Sequence, residues 1–392
     1  MRILHISTRL ILGGSQENTV LSCEGQAAAG HAVALAFGPI YGPEGSLLER
    51  VKRHGGIEAT EVGSMHREIS PWRDWRCLRD LSALISRWKP DVVHTHSSKA
   101  GILGRAAAWK AGVPVVVHTI HGLAFHPRAS WFHNAGYIAA ERWAARRCHA
   151  IVSVADAMTE QALAQGIGRR EQYSTIRSGI EVEPFLKPTG RRAELRSRFG
   201  WGENELVVGT IARLAELKGH DDLLTALGTG LAQDSKLRLL WVGDGWWKER
   251  LLKRAGAEGL QQRIGLAGLV PPEEIPAWIE AMDIVAHASY REGLPRVAVQ
   301  ACLGERPVAA YDIDGTREVC IDGVTGRLVK AGDVAALGQA VAELAADAPA
   351  RQRMGAAGRE HCREEFSAPR MVERLLALYQ RILSQQGGSV AS

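Results

Sequence analysis

The chain has 392 residues, of which 46% are hydrophobic and 23% charged, and its formal net charge is +5. This length allows two or three domains with sizeable cores, and this composition is typical of a globular protein. No apolar run approaches the roughly 18 residues that span a bilayer, and the six scattered cysteines contain no CxxC pair, which argues against a zinc or disulfide framework. The first residues read as a strand and not as a signal peptide, so we expect a cytoplasmic protein.

Charge differs between the two halves of the chain. Residues 1–178 contain 21 Lys and Arg against 14 Asp and Glu, a net charge of +7, whereas the remainder contains 27 against 29, a net charge of −2. A basic amino-terminal half suits an anionic acceptor or a membrane surface. Nucleic acid is the other common partner of basic proteins, but no nucleic-acid-binding motif is present, and we predict no such partner.

The first half of the chain alternates strand and helix patterns. Arg2-Ile-Leu-His-Ile-Ser-Thr alternates as a strand does, and the pair Gly13-Gly14 precedes a helix pattern, where glycine allows a ligand to approach the backbone closely. Residues 66–90 predict an amphipathic helix with a face of arginines and tryptophans. That face is either solvated or in contact with a membrane interface.

Four histidines occur at the ends of two further strand patterns: His94, His96, His118 and His121. Because the carboxyl ends of parallel strands meet at one edge of a sheet, we expect the four to share a crevice. A metal cluster is the competing interpretation, but no acidic partners stand at ligand spacing. Lys99 follows Ser97 and Ser98, both suitable N-caps, and is either a contact for an acceptor phosphate or an ordinary surface lysine.

A stretch rich in proline and glycine, residues 178–190, predicts an interdomain linker. A second set of alternating strands and helices follows. Its first strand ends at Arg213, and Lys218 comes five residues later, so the two cations could clamp a diphosphate. After a later strand, the backbone around Val270 could meet a nucleotide base.

Residues 289–307 predict a strand end, a tight loop and a helix whose first turn contains Pro295. The N–H groups and the partial positive charge of such a helix end suit a phosphate. Glu292 can accept hydrogen bonds from hydroxyls, and Gln300 stands eight positions later. The pattern indicates a nucleotide-sugar, and the simpler alternative is an ordinary strand–helix unit with a solvated Glu292.

Asp312 and Asp314 form an Asp-x-Asp pair that invites a metal-binding interpretation. We favour a structural loop instead, because Arg213, Lys218 and the helix end already supply positive charge next to a diphosphate. The prediction is therefore a site without a metal ion and a protein without a cofactor.

These motifs resemble the donor site of the retaining family 4 glycosyltransferases of the GT-B fold, which act in bacterial envelope and exopolysaccharide synthesis. The resemblance covers nearly the whole chain. It implies an α/β protein with two doubly wound Rossmann-like domains facing each other across a cleft, and a C-terminal helix that crosses back to the first domain. The expected parts are an acceptor-binding domain at 1–180, a linker at 181–190, a donor-binding domain at 191–366, and the crossing helix and tail at 367–392.

The resemblance also implies roles for individual residues. The catalytic residues would be His121, which contacts the transferred sugar, and Glu292, which orients its hydroxyls. The donor-binding residues would be Gly14, Arg213, Lys218, Val270, Gly293, Leu294, Pro295, Arg296, Val297 and Gln300. The acceptor-binding residues would be Gly13, His96, Lys99, His118 and Arg128. Gln300 departs from the family, which has a glutamate there for the ribose hydroxyls, and an amide can accept such a bond but adds no charge.

The expected activity is metal-independent transfer of a hexose from a nucleotide-diphosphate sugar, in the first instance UDP-linked, to a saccharide acceptor. The basic first half favours a lipid-linked saccharide at the inner face of the cytoplasmic membrane, with peripheral contact to anionic lipid, over a soluble acceptor. Three other functions stay open: a non-hydrolysing sugar-nucleotide epimerase, a phosphorylase of the same architecture, and a catalytically silent protein that binds a nucleotide-sugar.

Overall fold

The structure, a computed structural model, describes residues 1–41, 45–126 and 130–388. The chain divides into two compact units. The first unit consists of Met1–Ile180 and the C-terminal segment that begins at Ala368, and the second consists of Glu181–Ser367.

The first unit is built on a sheet of seven parallel strands in the order β3-β2-β1-β4-β5-β6-β7. The strands are β1 (Arg2–Ser7), β2 (Ala32–Phe37), β3 (Ile57–Glu61), β4 (Val92–His96), β5 (Val115–Ile120), β6 (Ala150–Ser153) and β7 (Tyr173–Thr175). The helices between them are α1 (Gly14–Ala28), α2 (Leu48–His54), α3 (Pro71–Trp88), α4 (Ser98–Lys110), α5 (Trp131–Ala145) and α6 (Asp156–Ala164). The strand order reverses between β1 and β4, and such a switch point is where ligands usually bind.

The second unit has six parallel strands in the order β10-β9-β8-β11-β12-β13. They are β8 (Leu206–Ile211), β9 (Leu237–Val242), β10 (Ile264–Gly268), β11 (Ile284–His287), β12 (Val308–Asp312) and β13 (Gly326–Lys330). The helices are α7 (Glu183–Leu186), α8 (Arg192–Ser197), α9 (His220–Gln233), α10 (Lys248–Ala257), α11 (Ile275–Glu280), α12 (Arg296–Leu303), α13 (Val334–Ala346) and α14 (Ala348–Glu365). Here the strand order reverses between β8 and β11.

Both sheets are covered by helices, which explains their nearly continuous apolar strands such as Ala-Val-Ala-Leu-Ala-Phe in β2. In the second unit α9 contributes the buried leucines 223, 224, 227 and 231 to a core with Trp241. The predicted linker region packs on this unit, since Phe185 is buried and the Thr189 N–H donates to Glu280 at 2.6 Å.

The last helix, α15 (Ala368–Gly388), packs on the first unit. Its residues Met371, Val372, Leu375 and Tyr379 are buried in one cluster with strands β1, β4 and β5. Gly25 in α1 allows the close approach, because a Cβ there would lie 2.5 Å from Val372 Cγ2. The prediction that the C-terminal helix crosses back to the first domain is confirmed.

The predicted amphipathic helix is α3. It buries Leu81 and Leu84 and exposes Trp72 and Trp75. The two tryptophan rings stack 5.2 Å apart, and the Arg79 guanidinium lies 5.0 Å from the Trp75 ring. Among the described residues, no helix combines the length and the apolar character that a membrane span requires.

Candidate active site

Two loops meet at the switch point of the second sheet, one after β8 and one after β11. The Tyr290 N–H and the Ser289 hydroxyl both donate to the Leu217 carbonyl, at 2.8 and 3.2 Å. Gly219 has a positive φ of 71°, and a Cβ there would lie 2.0 Å from the Ala288 carbonyl oxygen. Only glycine allows this contact between the two backbones, which brings the end of the first loop against the second.

The contact places Lys218 beside Glu292. Lys218 Nζ is 2.6 Å from Glu292 Oε1, and His287 Nε2 is 3.5 Å from the same oxygen. Burial alone would raise the pKa of Glu292, whose side chain is 17% exposed, but Lys218 and His287 outweigh that effect and hold the pKa well below its usual range. Glu292 is therefore a fixed carboxylate that only accepts hydrogen bonds at neutral pH.

The backbone of Glu292 is held by the loop after β12. The Glu292 N–H donates to Asp314 Oδ2 at 2.8 Å, and the Gly315 N–H donates to the Gly293 carbonyl at 3.1 Å. Asp312 forms a two-pronged ion pair with Arg317, at 2.8 and 2.9 Å. Both carboxylates thus have partners within the protein, and a site without a metal ion stays a prediction.

Helix α12 begins one residue later than the sequence suggested. Pro295 occupies the N-cap position, with φ −74°, and Arg296 is the first helical residue. The Pro295 carbonyl accepts from the Ala298 N–H at 3.0 Å. Gly293 and Leu294 form the loop before the helix, and Val297 and Gln300 are half-buried on it.

The remaining donor-site candidates lie after other strand ends of the same sheet. Arg213 follows β8, and its guanidinium carbon lies 5.7 Å from the centre of the Trp246 ring. Val270 is half-buried after β10. All predicted donor-binding residues of this unit thus lie at the carboxyl edge of one sheet, and Lys218 and Glu292 are in direct contact.

In the first unit the histidines separate onto two faces of the sheet. His96 Nδ1 is 3.0 Å from His121 Nε2, whereas His118 Nδ1 lies 3.0 Å from Thr95 Oγ1. A Cβ on Gly101 of α4 would lie 2.5 Å from the His118 ring. The expectation of one shared crevice is wrong for His118, because successive strand residues point to opposite faces. Its role in acceptor binding stays a prediction.

A fifth histidine, His5, lies on the same face of the sheet as His94 and His96. It was not identified as a site residue from the sequence. It pairs in register with His94, and its Nδ1 lies 2.9 Å from His96 Nε2. Its other nitrogen, Nε2, is 2.8 Å from Gln26 Oε1. Period-two alternation from Ile3 identifies His5 as a candidate, but nothing in the sequence indicates Gln26, a polar position of a helix.

His5, His94 and His96 have ring nitrogens within 4.8 Å of one another, a spacing that could hold a metal ion. Hydrogen bonds already occupy these nitrogens, since His94 also contacts Tyr379 Oη at 2.5 Å and Thr119 Oγ1 at 2.6 Å. Burial lowers the pKa of His5 to about 4 and holds the pKa of His94 and His96 well below its usual value. The cluster is neutral and hydrogen-bonded, and a metal ion would have to replace those bonds.

The other acceptor-site candidates lie near the same sheet edge. Gly13 is the N-cap of α1 and Gly14 its first residue. Lys99, in the first turn of α4, donates to Asp74 Oδ1 at 2.6 Å and to the Glu68 carbonyl. Arg128 lies outside the described residues.

The cap of α4 differs from the expectation. Ser97 stands at the N-cap position, but its hydroxyl donates to the His96 carbonyl and not to the helix. Thr8, which follows β1, supplies the acceptor, and its Oγ1 receives the Ala100 N–H at 3.1 Å. Thr8, directly after β1, thus caps α4, the helix that follows the neighbouring strand β4.

Comparison with known sequences gives two family matches. The family described as "Glycosyl transferase 4-like domain" matches residues 13–179, and the family described as "Glycosyl transferases group 1" matches residues 191–361. A D-inositol 3-phosphate glycosyltransferase of Nocardia farcinica is 30% identical over 314 residues, which are 77% of this chain and 68% of the relative. The UDP-Gal:alpha-D-GlcNAc-diphosphoundecaprenol alpha-1,3-galactosyltransferase of Escherichia coli is 29% identical over 284 residues, which are 71% and 72% of the two chains.

Comparison with solved structures agrees on the fold. Anabaena Alr3699/HepE, crystallised in complex with UDP and glucose, superposes with a TM-score of 0.82 over 97% of this chain and 100% of its own, at 20% identity. At that identity the likeness shows the fold alone. The chain therefore belongs to the group 1 glycosyltransferases of family GT4, has the GT-B fold, and is a nucleotide-sugar-dependent glycosyltransferase.

Proposed function

We propose that the chain is a retaining, metal-independent hexosyltransferase that transfers a sugar from a UDP-sugar to a hydroxyl of a lipid-linked saccharide in cell-envelope polysaccharide or glycoconjugate synthesis. The observation that carries the proposal is the contact between Lys218 and Glu292 at the switch point of the second sheet. A fixed cation and a fixed carboxylate side by side suit a donor whose diphosphate and sugar hydroxyls are adjacent.

The donor would be held in three parts. Lys218 and Arg213, together with the N–H groups of Arg296 and Val297 at the start of α12, would stabilise the charge that develops on the diphosphate as its bond to the sugar breaks. Glu292 would accept hydrogen bonds from the sugar hydroxyls. Gln300 would accept one from the ribose, and the backbone at Val270 would meet the base.

The transfer itself would proceed with retention. In this scheme the acceptor hydroxyl attacks the sugar from the face that the diphosphate leaves, and a phosphate oxygen of the donor takes the hydroxyl proton. His121 would contact the transferred sugar. The cations already named would balance the charge of the diphosphate, so the scheme includes no metal ion.

The acceptor proposal is supported by charge and by a relative. The first half of the chain is basic, α3 exposes Trp72 and Trp75 beside arginines, and the Escherichia coli relative is named for a diphosphoundecaprenol-linked acceptor. Cationic and aromatic side chains together suit the headgroup region of an anionic membrane. We therefore propose peripheral contact with the inner face of the cytoplasmic membrane.

Calorimetric titration tests the donor site. We expect UDP to bind with a micromolar dissociation constant, more tightly than GDP or ADP, and with the same constant in EDTA. Lys218→Ala should weaken UDP binding by about tenfold or more, since it removes a charge-assisted contact. Lys236→Ala is the matched control, because this exposed lysine precedes β9 at the opposite edge of the same sheet. Unchanged affinity in Lys218→Ala, or loss of binding in EDTA, would contradict the site as proposed.

Product analysis tests the reaction class. With UDP-glucose or UDP-galactose and a diphosphoundecaprenol-linked N-acetylglucosamine acceptor, we expect release of UDP and a new glycosidic bond with the donor's anomeric configuration. An epimer released without acceptor identifies an epimerase, consumption of inorganic phosphate identifies a phosphorylase, and binding without turnover over a broad acceptor set identifies a silent binding protein.

Vesicle flotation tests the membrane contact. The protein should bind vesicles of anionic phosphatidylglycerol more strongly than neutral phosphatidylcholine, and binding should fall when the exposed residues Arg73, Arg76 and Arg79 are replaced together by alanine. Equal binding to both vesicle types would refute this part of the proposal and leave the donor site untouched.

A further inference from the structure

A chain of hydrogen bonds connects helix α1 to the loop after β5. Gln26 Oε1 is 2.8 Å from His5 Nε2, His5 Nδ1 is 2.9 Å from His96 Nε2, and His96 Nδ1 is 3.0 Å from His121 Nε2. Gln26, His5 and His96 are at most 1% exposed. This series of hydrogen bonds therefore runs from the interior of the first unit to His121, the residue that the proposed function places next to the transferred sugar.

The donor and acceptor roles along this series of hydrogen bonds follow from the charge state of the histidines. Burial lowers the pKa of His5 to about 4 and holds the pKa of His96 well below its usual value, so both rings are neutral at pH 7. A neutral imidazole has one N–H and one lone pair. If His5 donates at one nitrogen, it accepts at the other, and the same holds for His96. All bonds of the chain must then point the same way.

Gln26 decides which way. Its carbonyl oxygen faces His5 and can only accept, so His5 donates from Nε2 and accepts at Nδ1. His96 then donates from Nε2 to His5 and accepts at Nδ1. The only remaining donor for His96 Nδ1 in this contact is the N–H at Nε2 of His121.

A second branch holds the Gln26 carboxamide in this orientation. Gln26 Nε2 donates to Tyr379 Oη at 3.4 Å, which leaves the tyrosine proton available for His94 Nδ1, and in this arrangement His94 donates from Nε2 to Thr119 Oγ1. Every hydrogen bond in both branches then joins one donor to one acceptor. To reverse the chain, the carboxamide would have to turn over and the protons of both branches would have to move.

We propose that Gln26, His5 and His96 are positioning residues that hold His121 in the tautomer with its proton on Nε2, which makes Nδ1 the accepting nitrogen of the ring during sugar transfer. The inference rests on the proposed function, in which His121 contacts the transferred sugar. The nitrogen that carries the proton on a histidine is set by the partner of the other nitrogen, and here the ultimate partner lies three side chains away.

Nitrogen-15 NMR of histidine-labelled protein tests the tautomer directly. The His121 resonances can be assigned by their absence in His121→Gln, and long-range correlations distinguish a ring protonated at Nε2 from one protonated at Nδ1. We expect the wild-type ring to be protonated at Nε2. A ring protonated at Nδ1 would overturn the proposal whatever the activity of the protein.

A matched pair of variants tests the positioning role. Gln26→Met removes the accepting oxygen, and Thr159→Val removes a buried hydroxyl of α6 that contacts Ser153 and lies outside both branches. We expect Gln26→Met to give mixed His121 tautomers and to lower kcat about tenfold, an effect typical of lost outer hydrogen bonds. The KM for the donor should stay within about twofold because ground-state binding is unchanged. Thr159→Val should keep both the tautomer and kcat.

A rescue variant completes the test. Gln26→Glu keeps an accepting oxygen towards His5 and should restore most of the lost kcat. Should Gln26→Met fail to fold, Tyr379→Phe removes the acceptor of the Gln26 amide, and it should also mix the His121 tautomers. A single His121 tautomer in both Gln26→Met and Tyr379→Phe, or equal loss of kcat in Thr159→Val, would overturn the proposal.

Failure of the inference can be separated from failure of the proposed function. A protein that binds no nucleotide-sugar contradicts the function, yet the wild-type tautomer can still be measured. If the tautomer shifts in Gln26→Met while both Gln26→Met and His121→Gln keep full turnover, the hydrogen-bond chain is real, but the claim that it positions a residue for transfer is overturned.

Discussion

The polar residues at the switch point of the first sheet are neutral, whereas those at the switch point of the second sheet are charged. In the first unit His5, His94 and His96 are buried, have lowered pKa values and bind one another or their neighbours as uncharged rings. In the second unit Lys218 and Glu292 form an ion pair. Both arrangements satisfy polar groups near a sheet edge, but they place opposite electrostatic properties there.

The difference in charge between the two sites follows from how deeply their side chains are buried. The imidazoles are almost completely buried, where a charge is costly, and a ring with one donor and one acceptor can be satisfied without one. The Lys218 and Glu292 side chains are 30% and 17% exposed, so water and the ion pair together stabilise their charges. The first unit should therefore respond to protonation, and the second to loss of charge.

Acid gives the largest expected effect. His5, His94, His96 and His118 in the first unit have lowered pKa values, so the unfolded chain, with histidine pKa values near 6.5, binds more protons. The contribution of these histidines to the free energy of unfolding is fully present above pH 6.5. It decreases as the pH falls towards their pKa values in the folded protein, by about 1 kcal/mol per pH unit for each histidine. In the second unit the pKa of His220 is lowered to about 4, so this one histidine contributes in the same way.

Hydrogen exchange resolved by segment, corrected for the intrinsic pH dependence, checks this at pH 7 and 5. The first unit should lose more protection than the second. Glu292 does not contribute in this range, because its depressed pKa costs stability only below the usual pKa of a glutamate. Equal loss in both units would remove the contrast between them.

Removing the charge of Glu292 should have the next largest effect, on activity. Glu292→Gln keeps the shape but replaces a carboxylate next to Lys218 with an amide, and we expect kcat/KM to fall about a hundredfold. Asp312→Asn is the control, since Asp312 pairs with the exposed Arg317 in the same unit and should cost less than about twofold. Steady-state kinetics of both variants would show whether charge or shape matters at position 292.

Gly219→Ala should uncouple the two loops of the second unit. A Cβ there would lie 2.0 Å from the Ala288 carbonyl oxygen and would also require a positive φ. We expect a loss of about 2–4 kcal/mol in the free energy of unfolding, together with weaker UDP binding. Gly259→Ala has a similar φ of 68° with no atom within 4 Å, so it should cost about 1 kcal/mol and leave UDP binding unchanged. Similar denaturation midpoints for the two variants would show that the loop contact is unimportant.

The smallest effect is expected from two tyrosines that share one carboxylate. Tyr290 and Tyr311 donate to Asp222 Oδ2 at 2.6 and 2.7 Å. Replacing either by phenylalanine should lower the free energy of unfolding by about 1 kcal/mol. Only Tyr290→Phe should also weaken UDP binding, by less than about fivefold, because Tyr290 belongs to the loop that carries Glu292. Equal UDP affinities would show that the loop is held by its backbone contacts alone.

More of the donor site than of the rest of the protein could be predicted, because its residues lie close together in the sequence. Arg213 and Lys218 lie five residues apart after one strand, and the loop from Glu292 to Val297 runs directly into a helix. The apolar strands likewise indicated two parallel sheets. Which side chains touch across these elements depends on register and on the packing of distant segments, and neither can be read from one sequence.

The histidines show the limit most clearly. His118 and His121 stand close in the sequence, yet strand alternation sends His118 towards α4. His5 and His94 are 89 positions apart and lie side by side through strand pairing. Gln26 meets Tyr379 only because α15 packs on α1. No local pattern marks either of these two residues as a neighbour of the histidines.

The packing of α15 on the first unit also has a consequence for biosynthesis. The ribosome makes β1 to β7 before the second unit, but the core of that sheet includes Met371, Leu375 and Tyr379, which follow the second unit in the chain. The second unit, residues 181–367, is fully synthesised before them. During translation the earlier of the two units is therefore completed after the later one, and the hydrogen bond from Gln26 to Tyr379 forms only after residues 181–367 have been synthesised.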